Sequence, residues 1–245
     1  MKMGLLQIGT TYRYARPYTD LSEVRDGLPN FFANTGGQGP KPLLEKGISP
    51  IAACSSRDGS RTPAILISSS PHKAGSKGTP WHDRFDAETG FIRYFGDGKS
   101  EMPAAKNSGN KAIIKQFELH NSDERRKRLC ATPFLFFERV TVDSRPKGNI
   151  RFWGLGVIQG AQLITQHQKN LGEFKNYVFE FFTLDMIEDK NYLNWDWINA
   201  RRNEGLSNEK SMSLAPIAWK KWVEDGEIYA RKKRDEGQRN LVTAF

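Results

Sequence analysis

Between Pro80 and Asp97 the chain reads PWHDRFDAETGFIRYFGD. Trp81, His82 and Asp83 stand together at its start. A turn, Asp86 to Gly90, follows, and then a short strand presents Tyr94 and ends in Gly96-Asp97. Aromatic faces beside a carboxylate are the parts needed to hold an unstacked nucleobase. The ring stacks on the base, and the carboxylate accepts from an exocyclic amine such as N4 of cytosine. Trp81 and Tyr94 are the stacking candidates, and Asp83 and Asp97 compete as the acceptor. On an alternating strand Ile92 and Tyr94 share one face and Arg93 and Phe95 the other, so one of the two aromatics is predicted to point at a pocket. Tyr94 is preferred, because its hydroxyl suits a half-wet site. The competing assignment is structural, with Trp81 covering a core, Asp83 paired to Arg84, and Tyr94 on the surface.

Cations and polar groups surround this stretch. Arg57, Arg61, His72, Lys73 and Lys77 flank the apolar run Pro63–Ser68. Arg84, Lys99, Lys106, Asn110 and Lys111 flank Tyr94–Asp97. With the hydroxyls of Ser68 to Ser70, chiefly Ser69 and Ser70, these are the candidates for contact with a phosphate backbone. The whole chain carries 37 Lys and Arg against 28 Asp and Glu, a net charge of +9, which favours a polyanionic partner. Arg125, Arg126, Lys127 and Arg128 form a further run, read as a solvated helix face.

Catalytic patterns are sparse. Glu173-Phe174-Lys175 matches the Glu-x-Lys of metal-dependent nucleases, with Asp143 upstream, and makes a nuclease using Glu173 and Lys175 the enzymatic alternative. Its setting is poor: Asp143 lies in a turn sequence, and Glu173 follows a glycine. His72, His82, His120 and His167 are scattered. Cys54 and Cys130 are far apart, with no Cys-x-x-Cys, so they are expected to be buried free thiols in a reducing compartment. No phosphate-loop, dinucleotide or nucleophile-elbow fingerprint is present. The expectation is therefore no metal, no cofactor and no catalytic residue.

The elements that must position these residues follow from pattern. Pro63–Ser68, Phe91–Phe95, Phe134–Val142 and Tyr177–Asp185 read as strands, and Arg151–Thr165 as paired strands with glycine bends. Asn110–Phe117 fits strand or helix. Asp20–Asp26 could form a short helix, and Asn121–Leu129 a charged helix capped by Ser122. Ser207–Val223 holds one or two helices, with Pro216 at the first position of the second, Trp219 and Trp222 on one face, and Gly226 as the stop. The predicted class is α+β: a curved, mostly antiparallel β-sheet or partial barrel, with flanking helices and a helical C-terminal tail. An irregular arm packed on the core spans 1–50, a β-rich DNA-binding core 51–190, a helical extension 191–226, and a charged helix or linker 227–245. No apolar run approaches the ~18 residues of a membrane span.

In order along the chain, WHDRFDAETGFIRYFGD, SGNKAI, the pair RFWGLGVI and FKNYVFEFFTLD, and NWDWINARR with LAPIAWKKWVEDG resemble the N-terminal recognition domain of AspBHI-type restriction endonucleases. The resemblance covers roughly residues 50–226. It implies an SRA-like fold that flips 5-methylcytosine out of duplex DNA, with the Trp81–Asp97 segment contributing to the pocket. Related sulfur-binding domains carry a similar Tyr-x-Gly-Asp segment, which keeps a backbone phosphorothioate as an alternative mark. An RNA reader of a modified base is a further alternative. In AspBHI-type enzymes a nuclease domain follows the recognition domain, whereas residues 227–245 are too few to hold one. The implied partners are double-stranded DNA carrying a modification and a nuclease domain or subunit, with no membrane, in a bacterial or archaeal cytoplasm. No cleavage is expected from this chain alone.

Overall fold

The structure, a computed structural model, describes residues 4–14, 27–36, 43–74, 82–98, 103–143, 148–168 and 172–226. Trp81, Lys77, Lys99, the segment Asp20–Asp26 and the tail after Gly226 lie outside them. The strands are β1 (Leu5–Gln7), β2 (Thr11–Arg13), β3 (Ile48–Pro50), β4 (Cys54–Ser56), β5 (Gly59–Arg61), β6 (Ile65–Ser69), β7 (Arg84–Phe85), β8 (Phe91–Phe95), β9 (Phe134–Arg139), β10 (Asn149–Gln168), β11 (Gly172–Thr183) and β12 (Tyr192–Asn194). The helices are α1 (Phe31–Thr35), α2 (Ser108–His120), α3 (Arg125–Leu129), α4 (Trp195–Arg202), α5 (Asn208–Ser211) and α6 (Ile217–Asp225).

One large sheet runs in the order β3-β6-β9-β10-β11-β8-β7, with β2 added to the start of β10. Its pairings are antiparallel except β6 with β9. Phe134 to Phe137 of β9 are buried on both faces, which is why this run is continuous rather than alternating. The pair of strands expected over Arg151–Thr165 is instead one strand, β10. Its register against neighbouring strands shifts at Phe152/Gly154 and at Ile158/Gly160. Such bulges bend a strand without ending it.

The bends let the sheet curl. Phe85, on the outermost strand, meets Phe136 of β9 at 6.1 Å and Trp153 of β10 at 5.4 Å between ring centroids. The enclosed side is a core of Ile67, Ile92, Tyr94, Phe134, Phe136, Phe179 and Phe181, to which α2 adds Ile113. The other side packs against a second core that draws Phe31 from α1, Trp195 and Trp197 from α4, and Trp219 and Trp222 from α6. Trp219 and Trp222 share a face, with centroids 4.6 Å apart. His120, at the end of α2, contacts Trp222 at 5.0 Å and is buried. Its Nδ1 accepts from the Ile158 amide and its Nε2 donates to the Thr132 carbonyl, so the ring is neutral. Burial depresses its pKa to about 3.

Several local expectations change. The segment left between strand and helix is the helix α2. Ser122 accepts from the Glu124 amide at 3.1 Å, but α3 begins three residues later with Glu124 as its N-cap. The basic run is not merely solvated. Arg125 bridges Glu209 and Glu224, and Arg128 is buried on the carbonyls of Val223 and Glu224. Pro216 is the N-cap of α6 rather than its first residue, and Gly226 ends that helix at φ 63°. Among the described residues of the first 50, β1 pairs with β12, β2 with β10 and β3 with β6. Among the described residues no helix is long and apolar enough to cross a membrane.

Candidate functional site

Curling brings the two free edges of the sheet face to face, and a cavity of about 480 Å³ opens at that seam. From one edge come Lys46, Gly47 and Ile48 at the start of β3, Ser68 and Ser69 at the end of β6, and Ser70, Pro71, Lys73 and Ala74 in the turn that follows. From the other come His82 and Asp83 before β7, and Tyr94 to Asp97 at the end of β8. Side chains bond across the gap. The Tyr94 hydroxyl donates to the Ser68 carbonyl at 3.3 Å, and the Ser69 hydroxyl donates to Asp83 Oδ2 at 2.9 Å. Gly47 passes so near the Tyr94 hydroxyl that a Cβ there would collide with it.

The two aspartates have different surroundings. Asp83 is half-buried. Its Oδ1 accepts from the Phe95 amide at 3.0 Å and its Oδ2 from Ser69. Burial raises its pKa to about 6, against the pull of those two donors and of His82. Asp97 faces the start of α2. Its Oδ2 accepts from the Gly109 amide at 3.0 Å and its Oδ1 from the Asn110 amide at 3.1 Å. Asn107, the formal N-cap, makes no side-chain cap bond, so Asp97 supplies it from a distant strand. The Gly96–Gly98 backbone is held by buried Asn176, which donates to the Gly96 carbonyl and accepts from the Gly98 amide.

The structure brings together Asp83, Tyr94, Asp97, Ser69, Ser70 and Lys73 of the residues singled out in the sequence. Ile92 and Tyr94 are buried and Arg93 is exposed, as alternation predicts. Tyr94 is only 5% exposed rather than half-wet, and Phe95, on the opposite strand face, borders the cavity and gives its amide to Asp83. Arg84 pairs with Asp86 at 2.8 Å, not with Asp83.

Two supposed backbone contacts are interior groups. Arg61 is 4% exposed, with its guanidinium spent on the carbonyls of Arg201, Asn203 and Leu206 and on Asn208 Oδ1. Asn110 is fully buried; it donates to the Ala104 carbonyl and accepts from the Asp97 amide. Arg57, His72, Lys106 and Lys111 are exposed but do not line the cavity. Lys46, Gly47 and Ile48 went unnoticed in the sequence; only proximity to a strand start marked them.

The enzymatic alternative loses its geometry. Glu173 pairs with His167 near the far end of β10, whereas Asp143 follows β9, which pairs with β10 over Ile150–Gly156. Lys175 donates to Thr165. Among the described residues no three His, Cys, Asp or Glu side chains are grouped to hold a metal ion. The thiols are free, but Cys130 is exposed and Cys54 only half-buried, against the expectation of two buried ones.

A curled α+β sheet with a polar cavity at its seam, lined in part by Lys46 and Lys73, is an SRA-like fold. The chain belongs to the family described as "Restriction endonuclease AspBHI N-terminal", whose profile matches residues 48–233. In structure it is similar to the MspJI restriction endonuclease solved in complex with a 27-mer oligonucleotide, at 33% identity and a TM-score of 0.80, over 93% of this chain and 53% of that one. It thus spans about half the length of that enzyme. The fold is shared with the DNA recognition domain of the cytosine modification-dependent endonuclease LpnPI (17% identity, TM-score 0.63, 91% of this chain and 89% of that one). It is also shared with the DNA modification-dependent endonuclease AspBHI (19% identity, TM-score 0.61, 89% of each chain). No curated protein matches the chain in sequence.

Proposed function

We propose that this chain binds duplex DNA carrying a modified cytosine, most simply 5-methylcytosine, and holds the base out of the stack in the seam cavity. The observation that carries this reading is Asp83 on the lining beside Tyr94: an acceptor for the N4 amine next to an aromatic wall whose hydroxyl is pinned to Ser68. Membership of a restriction endonuclease family, and likeness to an enzyme solved with an oligonucleotide, support a DNA partner. Lys46 and Lys73 at the rim are placed to meet the phosphates beside an extruded nucleotide. The chain acts as the reader of a restriction system in a bacterial or archaeal cytoplasm, with cleavage supplied by a nuclease domain or subunit.

Of the two acceptors in the sequence, Asp83 is assigned to the base and Asp97 to the helix: each oxygen of both carboxylates already accepts one bond, but both donors to Asp97 are backbone amides at the start of α2, whereas Asp83 is held by a strand amide and by a serine hydroxyl across the seam. Burying the 5-methyl group adds roughly 0.8 kcal/mol, about fourfold in affinity, so any larger preference comes from fit around the ring. The test is a competition among otherwise identical duplexes that are plain, 5-methylated, hydroxymethylated or phosphorothioated. The methylated duplex is expected to win, and Asp83→Asn and Tyr94→Ala to remove that advantage. Equal affinity for plain and methylated duplexes sinks the reading, and a winning phosphorothioate duplex replaces it with backbone recognition.

A further inference from the structure

We propose that Ser69 is the positioning residue of the cavity: its hydroxyl aims Asp83 at the bound base and keeps that carboxylate ionised, so that base capture is linked to a proton. The inference rests on Asp83 being the amine acceptor. Ser69 is the last residue of β6 and only 4% exposed, so its hydroxyl has little water to bond. Its partner, Asp83 Oδ2 at 2.9 Å, lies across the seam, on the segment leading into β7. The Phe95 amide holds Oδ1 from a third strand. Donors on two separate strands fix the plane of the carboxylate and leave each oxygen with a second lone pair for a ligand. The amide is part of the backbone and survives any side-chain change. The serine does not, and so it is the adjustable half of the clamp.

The charge state follows from the same geometry. Burial drives Asp83 toward the neutral acid, to about pH 6, while the donors favour the ionised form. The other titratable groups facing the cavity are Lys46 at the start of β3, Lys73 in the turn after β6, His82 next to Asp83, and Tyr94 and Asp97 at the end of β8. Without the Ser69 hydroxyl, Asp83 holds its proton to higher pH. A protonated Asp83 accepts from the N4 amine only through a neutral carbonyl oxygen, so that bond loses its charge assistance. It also pairs with the O4 carbonyl of thymine, which carries the same 5-methyl group. The proton on Asp83 thereby shifts the balance between the two methylated pyrimidines, toward 5-methylcytosine when the carboxylate is ionised.

The experiment has two arms. Carbon-13 carboxyl NMR of the free protein follows Asp83 in the wild type, Ser69→Ala and Ser69→Thr. The midpoint, near 6 in the wild type, is expected to rise by roughly one pH unit in Ser69→Ala and to return in Ser69→Thr. In the second arm, the preference for a 5-methylcytosine duplex over the same duplex with thymine at that position is measured from pH 5 to 8. It is expected to fade below the carboxyl midpoint of each protein, about one unit higher for Ser69→Ala. An unmoved carboxyl midpoint in Ser69→Ala overturns the role of Ser69, whatever the DNA arm reads. A moved midpoint with a pH-independent duplex preference overturns instead the assignment of Asp83 to the base. If Ser69→Ala does not fold, Ser69→Cys, of similar size but a weaker donor, carries the same comparison with an expected midpoint shift of the same sign.

Discussion

Replacing Asp97 by alanine separates the two carboxylates of the cavity. The wild-type side chain accepts from the second and third amides of α2, Gly109 at 3.0 Å and Asn110 at 3.1 Å, and places a negative charge at the positive end of a 13-residue helix. Losing a cap costs about 1 kcal/mol, up to about 2. Losing a partly buried charge at a helix N-terminus costs about 1 more. The total of about 2–3 kcal/mol corresponds to a melting midpoint lower by roughly 5–10 °C in a protein of this size. The reverse bond, from the Asp97 amide to Asn110 Oδ1 at 2.9 Å, survives the change and keeps the strand end near the helix. Thermal unfolding followed by circular dichroism measures the first quantity. Competition binding well below both midpoints measures the second, the ratio of affinities for methylated and plain duplexes, expected to stay within about twofold of wild type. A variant that melts within 1–2 °C of wild type (~0.5 kcal/mol) yet no longer distinguishes the duplexes would refute this division of labour.

Further outcomes follow from the same contacts. Asp83→Asn should abolish the methylated-duplex advantage. Because the folded-state pKa of Asp83 is raised to about 6, the native state binds its proton more tightly than the unfolded chain, and the aspartate loses stability as pH rises from about 4 to 6. The stability of Asp83→Asn relative to wild type, read from urea midpoints, should therefore improve by up to about 3 kcal/mol between pH 4 and 7. His120 has the opposite sign in the acid range: its folded pKa of about 3 lies below the unfolded value of 6.5, so between these the unfolded chain binds the extra proton and stability falls as pH falls. Relative to His120→Gln, the wild type should lose up to about 1.4 kcal/mol per pH unit in that window, and parallel urea titrations of the two proteins would contradict the neutral-ring assignment. Arg61→Ala should destabilise the fold by about 3 kcal/mol or more, by leaving buried carbonyls without donors, and leave the salt dependence of DNA binding unchanged. Lys73→Ala should do the reverse, weakening methylated and plain duplexes alike and reducing the salt slope by about 1.

Much of the scaffold was readable from residue pattern. The runs around Ile65–Ser69, Phe91–Phe95 and Phe134–Arg139 are β-branched or aromatic and become strands, and the Trp219/Trp222 spacing places both indoles in the core. The glycines of the RFWGLGVIQG segment were legible as bends but not as bulges in a single strand, because a bulge is defined by the partner strand's register. Asn110–Phe117, which lies within the helix Ser108–His120, was ambiguous for a related reason. Gly109 and Asn110 weaken the start of that helix, and the cap that rescues it comes from Asp97 rather than from its own flank.

By itself the sequence determined the family, the basic character of the chain, and the Trp81–Asp97 segment as the place where an aromatic and a carboxylate meet. Alternation along Phe91–Phe95 also determined that Tyr94 turns inward with Ile92. Only the tertiary structure decided which charged and polar groups are free to meet a ligand. Arg61 and Lys73 are both cations in the sequence. One is spent on carbonyls more than a hundred residues away, and the other stands on the rim. Likewise Asp83 and Asp97 are two carboxylates on one segment until folding ties one to the amides of a helix terminus and the other to a serine across the seam of the cavity they both line. The physical reason is that periodicity fixes which face a side chain occupies. The donors and acceptors it meets there are set by which distant strands the curl of the sheet brings alongside.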